Sequence, residues 1–249
     1  MNSPAVSIIT VCYNAEDTVE KTIKSVLSQT YQNIEYVIVD GQSSDNTMAV
    51  IGRYKNHITK ISSEKDCGVY DAMNKGIKFS SGDILYFLNA DDYFYDESVV
   101  QDIVKQFASH PEAAVVYGKV SLYNLAPRAP LNYRLPFVSE IKNKKDFLVK
   151  SLCHQRVFAR RWLFEKYGFF NTRYKISADF DWFLRLFNQA VNFRFIDRYI
   201  AHYNYQGLSK TQANPFITEK MKIIFFNFEF NDFLYYVSHA TLKKIGRLP

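Results

Sequence analysis

The sequence predicts an α/β protein with a mainly parallel central sheet flanked by helices and a C-terminal helical extension. Short, β-branched apolar runs alternate with segments of helical period through the first ninety residues. Each of those runs stops at a polar cluster, as strands do where they deliver a ligand crevice. The chain then closes on a long aromatic-rich segment.

Val6 to Val11 (VSIITV) is nearly continuous apolar sequence, the pattern of a strand covered on both faces. Asn14 offers a cap to a helix whose face is Val19, Ile23, Val26 and Leu27 and which ends near Gln29. Tyr36 to Val39 reads as the second strand, stopping at Asp40 and Gly41, and Ser44 or Asp45 then caps a helix through Tyr54. Ile58 to Ile61 is a weaker third strand, Tyr70 to Phe79 a helix containing Gly76, and Ile84 to Leu88 a strong fourth strand. This order predicts right-handed crossovers between parallel strands. The proline-bearing stretch Ala126 to Pro136 reads as an exposed connector between two halves.

Composition excludes several classes. A chain of 249 residues with 47% hydrophobic and 16% aromatic content is not disordered as a whole. Cys12, Cys67 and Cys153 are odd in number and widely spaced, against both a disulfide framework and a zinc site, so a reducing compartment fits. No stretch approaches the roughly 18 to 20 apolar residues that span a bilayer, and the N-terminus lacks an export signal, so the expectation is a cytoplasmic protein. The net charge of +6 is uneven: from Lys119 to Lys175, thirteen Lys and Arg face three acids, leaving the remainder at −4. An acidic half suited to a cation and a basic middle suited to an anionic partner follow.

With parallel strands, four polar clusters converge on one rim: Tyr13-Asn14, Asp40 to Asp45, Ser63 to Asp66, and Asn89 to Asp92. Each alone is an ordinary turn or cap former; together they point to a ligand. Neither GxGxxG nor GxxxxGK[ST] occurs, so phosphate bound at this rim needs a cation.

The blocks VSIITVCYNAEDTVEKTIKSVLSQTYQNIEYVIVDGQSSDNT, EKDCGVYDAMNKGIKFSSGDILYFLNADD and SADFDWFLRL, in that order, resemble the family 2 glycosyltransferases of the GT-A fold. The resemblance runs through residues 5 to 120 and returns at 150 to 205. It implies a GT-A domain over 1–205, with a donor half at 1–120 and an acceptor half at 121–205, followed by an extension over 206–249. It also implies inverting transfer of a sugar from a nucleotide diphosphate, usually with Mg²⁺ or Mn²⁺, of the kind used by bacterial O-antigen, capsule and exopolysaccharide enzymes.

Carried over by position, the resemblance puts the metal motif at Asn89-Ala90-Asp91, with an amide in place of its first carboxylate, Asp91 as metal ligand and Asp92 in support. A hard divalent ion held by carboxylates compensates the charge of a leaving diphosphate, which gives Asp91 independent chemical sense. Asp40 falls where the family holds a uracil base, with Thr10, Tyr13 and Asn14 around base and ribose. Asp66 and Gly68 fall where it reads the nucleotide again. Lys75 is either a contact for donor phosphate or sugar, or an exposed helical lysine. On the acceptor side the family opens a helix with Glu-Asp; here Ala178 replaces the Glu and Asp179 is the candidate general base. Asp181 takes a structural role, with Arg185 at ion-pair spacing. His154 and Gln155 match an acceptor pocket, and His202 a histidine that reaches donor phosphate or metal.

Residues 216 to 245 read as one helix with more aromatic surface than one core face needs. Two readings stand: packing on the domain or on a second subunit of a homodimer, or peripheral contact with the inner face of the cytoplasmic membrane, where a lipid-linked saccharide acceptor would lie. Nucleic acid is not an expected partner, because the acidic rim would repel a phosphate backbone. The departures at Asn89 and Ala178 leave one alternative, a catalytically inactive module that binds sugar nucleotide.

Overall fold

The computed structural model describes residues 3–124, 140–150, 152–207 and 213–244. Its strands are β1 (Val6–Cys12), β2 (Ile34–Asp40), β3 (Lys60–Ser63), β4 (Ile84–Phe87), β5 (Tyr93–Phe94), β6 (Val115–Tyr123), β7 (Val157–Arg160) and β8 (Phe193–Asn204). They form one sheet in the order β3-β2-β1-β4-β7-β6-β8-β5. Pairing is parallel for β1 with β2 and β4, β2 with β3, and β6 with β8. Only β7 and β5 run against their neighbours. The mainly parallel α/β sheet read from the sequence is therefore the observed one.

The helices are α1 (Val19–Leu27), α2 (Thr47–Gly52), α3 (Val69–Phe79), α4 (Val99–Ser109), α5 (Asp146–Val149), α6 (Trp162–Tyr167), α7 (Ala178–Asn188), α8 (Ala213–Asn227) and α9 (Phe230–Lys244). Strand periodicity sorts the core into two layers. Ile9, Val11, Val37, Val39, Leu85 and Phe87 join the cluster that contains α3, α6, α7 and α8 residues. Ile8, Tyr36, Ile38, Ile84 and Tyr86 face the cluster of α1, α2 and α4. All of β1 is buried, as its nearly continuous apolar run predicts, with Ser7 and Thr10 buried among the apolar residues.

Three local readings are corrected. Asn14 does not cap α1: its φ is +48°, its side chain accepts the Ser44 N–H at 2.9 Å, and a turn on the Ala15 carbonyl precedes the helix. The third strand starts at Lys60 rather than Ile58, because Ile58 packs inward while the Thr59 N–H still bonds the Tyr36 carbonyl ahead of the ladder. The single long C-terminal helix is two: α8 ends at Asn227, whose carbonyl accepts from the Lys144 ammonium, and the chain restarts as a helix at Phe230. The connector at 126–136 lies outside the described residues.

The first of these two C-terminal helices packs: Ile223 and Ile224 are fully buried in the core. Phe225, Phe226, Phe230, Leu234 and Tyr235 are exposed. No helix among the described residues is long and apolar enough to cross a membrane.

The α3 helix approaches β1 without clearance. A Cβ on Gly76 would stand 2.3 Å from Ile9 Cγ2 and 3.5 Å from Val39 Cγ2. Gly76→Ala should therefore lower stability by about 1–3 kcal/mol despite alanine's better helix propensity, read as a shift in urea midpoint; unchanged or increased stability would contradict this packing.

Candidate active site

Between β1 and β4 the strand order reverses direction, which leaves a crevice beyond their carboxyl ends. A cleft of about 870 Å³ opens there, walled by Tyr13 and Asn14 after β1, by Asn89 to Asp92 after β4, and by Asp66 and Gly68 before α3. Its far wall is the turn Cys153 to Arg156, Asp179 and Phe180 of α7, and Tyr203 to Tyr205 at the end of β8. Gly68 has φ +118°, a conformation that favours glycine, and its N–H bonds Asp66 Oδ1 at 2.9 Å. At Gly41 a Cβ would lie 2.5 Å from Asp66 Oδ2, so a larger residue there would displace the Asp66 carboxylate at the cleft.

Asp91 and Asp92 are adjacent carboxylates in a desolvated place. Asp92 accepts the Asn204 N–H at 2.8 Å and the Gln155 side-chain amide at 3.0 Å, while Asp91 Oδ2 accepts the Asn204 amide at 3.2 Å. Burial raises the proton affinity of both, and the Asp91 charge raises that of Asp92 further. No Lys or Arg among the described residues forms an ion pair with either.

Asp179 has the opposite environment. The Tyr70 hydroxyl donates to its Oδ1 at 2.9 Å and the Phe180 N–H at 2.8 Å, while Oδ2 lies 3.3 Å from the His154 N–H and 3.1 Å from His154 Nδ1. Burial pushes the carboxyl up, but the His154 and Tyr70 bonds overcome it and hold the group below the usual carboxylate range. The other ring nitrogen of His154 lies 3.3 Å from Asn89 Oδ1, so one imidazole links Asp179 to the end of β4. Gln155 Oε1 is buried at the cleft with no partner among the described residues, an acceptor in want of a hydroxyl or N–H donor.

Residues 7–168 match the family model described as glycosyl transferase family 2. A PGL/p-HBAD biosynthesis glycosyltransferase of Mycobacterium bovis is 32% identical over 216 residues, covering 85% of this chain and 81% of that one. The chain belongs to glycosyl transferase family 2. The Escherichia coli UDP-Glc:alpha-D-GlcNAc-diphosphoundecaprenol beta-1,3-glucosyltransferase WfaP is 38% identical over 99 residues, or 39% of each chain. Among solved structures, S. aureus TarS 1–349 in complex with UDP-GlcNAc superposes with TM-score 0.71 at 19% identity, over 88% of this chain and 65% of that one. That likeness is one of fold, the GT-A type, and the chain spans less than two thirds of the TarS structure.

Within this family-2 glycosyltransferase the expected site residues divide. Tyr13, Asn14, Asp66, Gly68, Asn89, Asp91, Asp92, His154, Gln155 and Asp179 all line the cleft. Four do not. Thr10 is fully buried beneath it, 3.2 Å from the Tyr36 hydroxyl. Asp40 is fully buried too, its carboxylate taken up by Ser43 at 2.5 Å and 3.0 Å and by Ser63 at 2.6 Å. Lys75 bonds the Lys65 carbonyl at 2.8 Å and pairs with Glu64 at 3.2 Å. His202 stacks between Tyr93 and Tyr95, with ring centroids 4.5 Å and 4.9 Å away, because strand alternation turns it from the face where Tyr203 meets the cleft.

A divalent ion fits the remaining donor set. No group of three His, Cys, Asp or Glu among the described residues forms a closed metal site. A magnesium-like ion is commonly held by one or two carboxylates and completed by substrate phosphates, and Asp91 is a carboxylate at the cleft wall with no ion-pair partner among the described residues.

Residues that no motif marks also enter the site. Tyr70 follows Gly68 by two positions in the DCGVYDAMNKG block, and that helix-opening place is the one signal it carries. Asn204, which bonds both Asp91 and Asp92, is set there by the register of β8 on β6 and β5 and has no sequence signal.

Tyr70→Phe should destabilise the fold by about 1–3 kcal/mol at pH 7, since it removes a bond to a buried carboxylate. Because Asp179 is held below the ordinary value, its contribution is full above about pH 4 and is lost as pH falls through the lower folded value. Urea unfolding at pH 7 and pH 3 should show the deficit shrinking in acid; an equal deficit at both would contradict the bond's role in holding Asp179 ionised.

Proposed function

We propose that the chain is an inverting glycosyltransferase that transfers a sugar from a UDP-sugar to a lipid-linked saccharide in bacterial cell-surface glycan assembly. The observation that carries this is the contrast within one cleft: carboxylates at Asp91 and Asp92 whose proton affinity burial raises and which form no ion pair among the described residues, and a carboxylate at Asp179 kept ionised by its donors. Two groups whose surroundings push their proton affinities apart are suited to different tasks in one reaction.

In this reading Asp91 holds Mg²⁺ or Mn²⁺, which when bound compensates charge on the departing diphosphate. Tyr13, Asn14, Asp66 and Asn89 frame the nucleotide and Gly68 lets backbone approach it. Thr10 and Asp40 act from beneath as supports for the β1 and β2 ends. An acceptor hydroxyl lies against Asp179, with His154 and Gln155 orienting it. As the hydroxyl oxygen forms its bond to the anomeric carbon, its proton passes to an Asp179 oxygen, the anomeric bond to the diphosphate breaks, and the electron pair leaves with the phosphate. Attack opposite the leaving group inverts the anomeric centre. A UDP-linked donor and a lipid diphosphate acceptor are drawn from what WfaP is named for, and TarS with UDP-GlcNAc agrees on the nucleotide.

The exposed aromatic residues Phe225, Phe226 and Phe230 are the proposed contact with the inner face of the cytoplasmic membrane. Replacing the three with serine should sharply reduce co-sedimentation with anionic vesicles; unchanged sedimentation would remove the membrane from the account, and a dimer that falls apart instead would assign this face to a second copy.

Asp179→Asn should lower turnover of UDP-glucose by about 10²–10⁴-fold while leaving UDP affinity within twofold, whereas Asp91→Asn should weaken UDP binding only when Mn²⁺ is present. The two variants are read by UDP release and by titration calorimetry. Wild-type binding of UDP without turnover would favour the inactive module.

A further inference from the structure

Helix α8 packs on the domain by one face. Ile223 and Ile224 are fully buried in the core, and Lys220 and Phe216, earlier on the same face at helical spacing, line the cleft. A lysine in this otherwise apolar stripe is a charge carried onto a packing face, which is costly unless an anion meets it. Its Nζ stands 4.6 Å from the Phe180 ring centroid and 5.0 Å from that of Phe216. Ring faces attract an ammonium without neutralising it. Lys220 forms no ion pair among the described residues, and the Asp179 carboxylate next to Phe180 is engaged by Tyr70, His154 and the Phe180 N–H.

A second lysine enters the cleft from the segment before α7. The Glu219 carboxylate accepts the backbone N–H groups of Lys175 at 2.7 Å, Ile176 at 3.0 Å and Ser177 at 3.0 Å, which ties that segment to α8. Lys175 lines the cleft, and its ammonium uses one of three donors on the Cys67 carbonyl at 3.1 Å. One cleft therefore carries carboxylates after β4 and two lysines around the start of α7. In the proposed function a cation at Asp91 meets the donor diphosphate, so the lysines suit a second anion, met directly.

We propose that Lys220, with Lys175 at the same end of the cleft, binds a phosphate of the acceptor, in the diphosphate that joins its saccharide to the lipid. This rests on the reading of the acceptor as a lipid-linked saccharide whose hydroxyl lies against Asp179. A single sugar on a diphosphate carries its anion one pyranose ring from the attacking hydroxyl. A hydroxyl at Asp179 thus brings the phosphate toward Phe180, where the Lys220 ammonium stands. The exposed Phe225 and Phe226 follow Lys220 on the same helix, about 7.5–9 Å further along its axis. One rigid element then offers both the phosphate contact and the proposed membrane contact.

The test is calorimetric titration of the full chain, saturated with UDP and Mn²⁺, with two probes: farnesyl-diphosphate-linked α-GlcNAc, and the neutral farnesyl α-glycoside of GlcNAc. Wild type should bind the charged probe at least about tenfold more tightly than the neutral one. In Lys220→Met, and in Lys220→Gln as a second neutral replacement, affinity for the charged probe should fall by about 10–100-fold, which removes the preference. Lys220→Arg should keep it, because the guanidinium stays charged. UDP affinity with Mn²⁺ should stay within about twofold in all three variants, which also shows that each is folded. Absence of a preference for the charged probe in wild type, or its survival in both neutral variants, overturns the proposal. So does a loss of UDP affinity of about tenfold in Lys220→Met, which would assign the ammonium to donor phosphate. Failure of the catalytic reading looks different: the preference and its loss appear as expected, but Asp179→Asn keeps its turnover.

Discussion

A carboxylate buried among rings must be held ionised by hydrogen bonds, and at Asp179 those bonds come from parts of the chain that are far apart in sequence. Tyr70 reaches it from α3, 109 positions upstream, and His154 from the turn before β7. Neither donor can shift without exposing a desolvated charge, which costs several kcal/mol. The single Tyr70 hydroxyl proton is shared between Asp179 and the Ile176 carbonyl, 2.8 Å away, and the same His154 ring approaches Asn89. The N-terminal strand-helix units and the later α7 segment are thereby held in one geometry around the cleft.

The rest of the arrangement serves that constraint. Six co-directional strands bring Asn14, Asp66 and Asn89 to Asp92 to one rim, and the antiparallel β7 places the His154 turn beside them. The cleft then holds two electrostatic environments. Near β4, Asp91 and Asp92 form no ion pair among the described residues and burial raises their proton affinity, the place where the proposed reading puts a cation and a phosphate. Near α7 the Asp179 carboxylate is held ionised by hydrogen-bond donors, the setting in which the proposed reading places the base. The proposed transfer of a sugar from a phosphate to a hydroxyl uses both.

Much of this was legible in the chain. The runs VSIITV and ILYF announce buried strands because both faces of a parallel sheet are covered, and the polar residues that end them announce the rim. What stayed hidden depends on register or on distant contacts. His202 and Tyr203 are neighbours in sequence, yet strand alternation gives one to an aromatic stack and the other to the cleft. Asp40 ends its strand as expected, but the two serine hydroxyls that consume its carboxylate lie 3 and 23 positions away. Lys220 sits in a segment whose most visible feature is its phenylalanines, so nothing local distinguishes it from a solvated lysine. The break between Asn227 and Phe230 is accompanied by a contact from Lys144, over eighty positions earlier, which the segment itself does not announce.

The central claim is that one cleft binds nucleotide through a cation at Asp91 and presents Asp179 to the acceptor. Anomalous diffraction at the manganese edge from crystals of the chain grown with UDP and Mn²⁺ tests it most directly. The account predicts one manganese peak within coordinating distance of Asp91, bridged to the diphosphate, with the Asp179 carboxylate facing open space on the acceptor side. A peak held by other residues, or UDP seated outside this cleft, would contradict it.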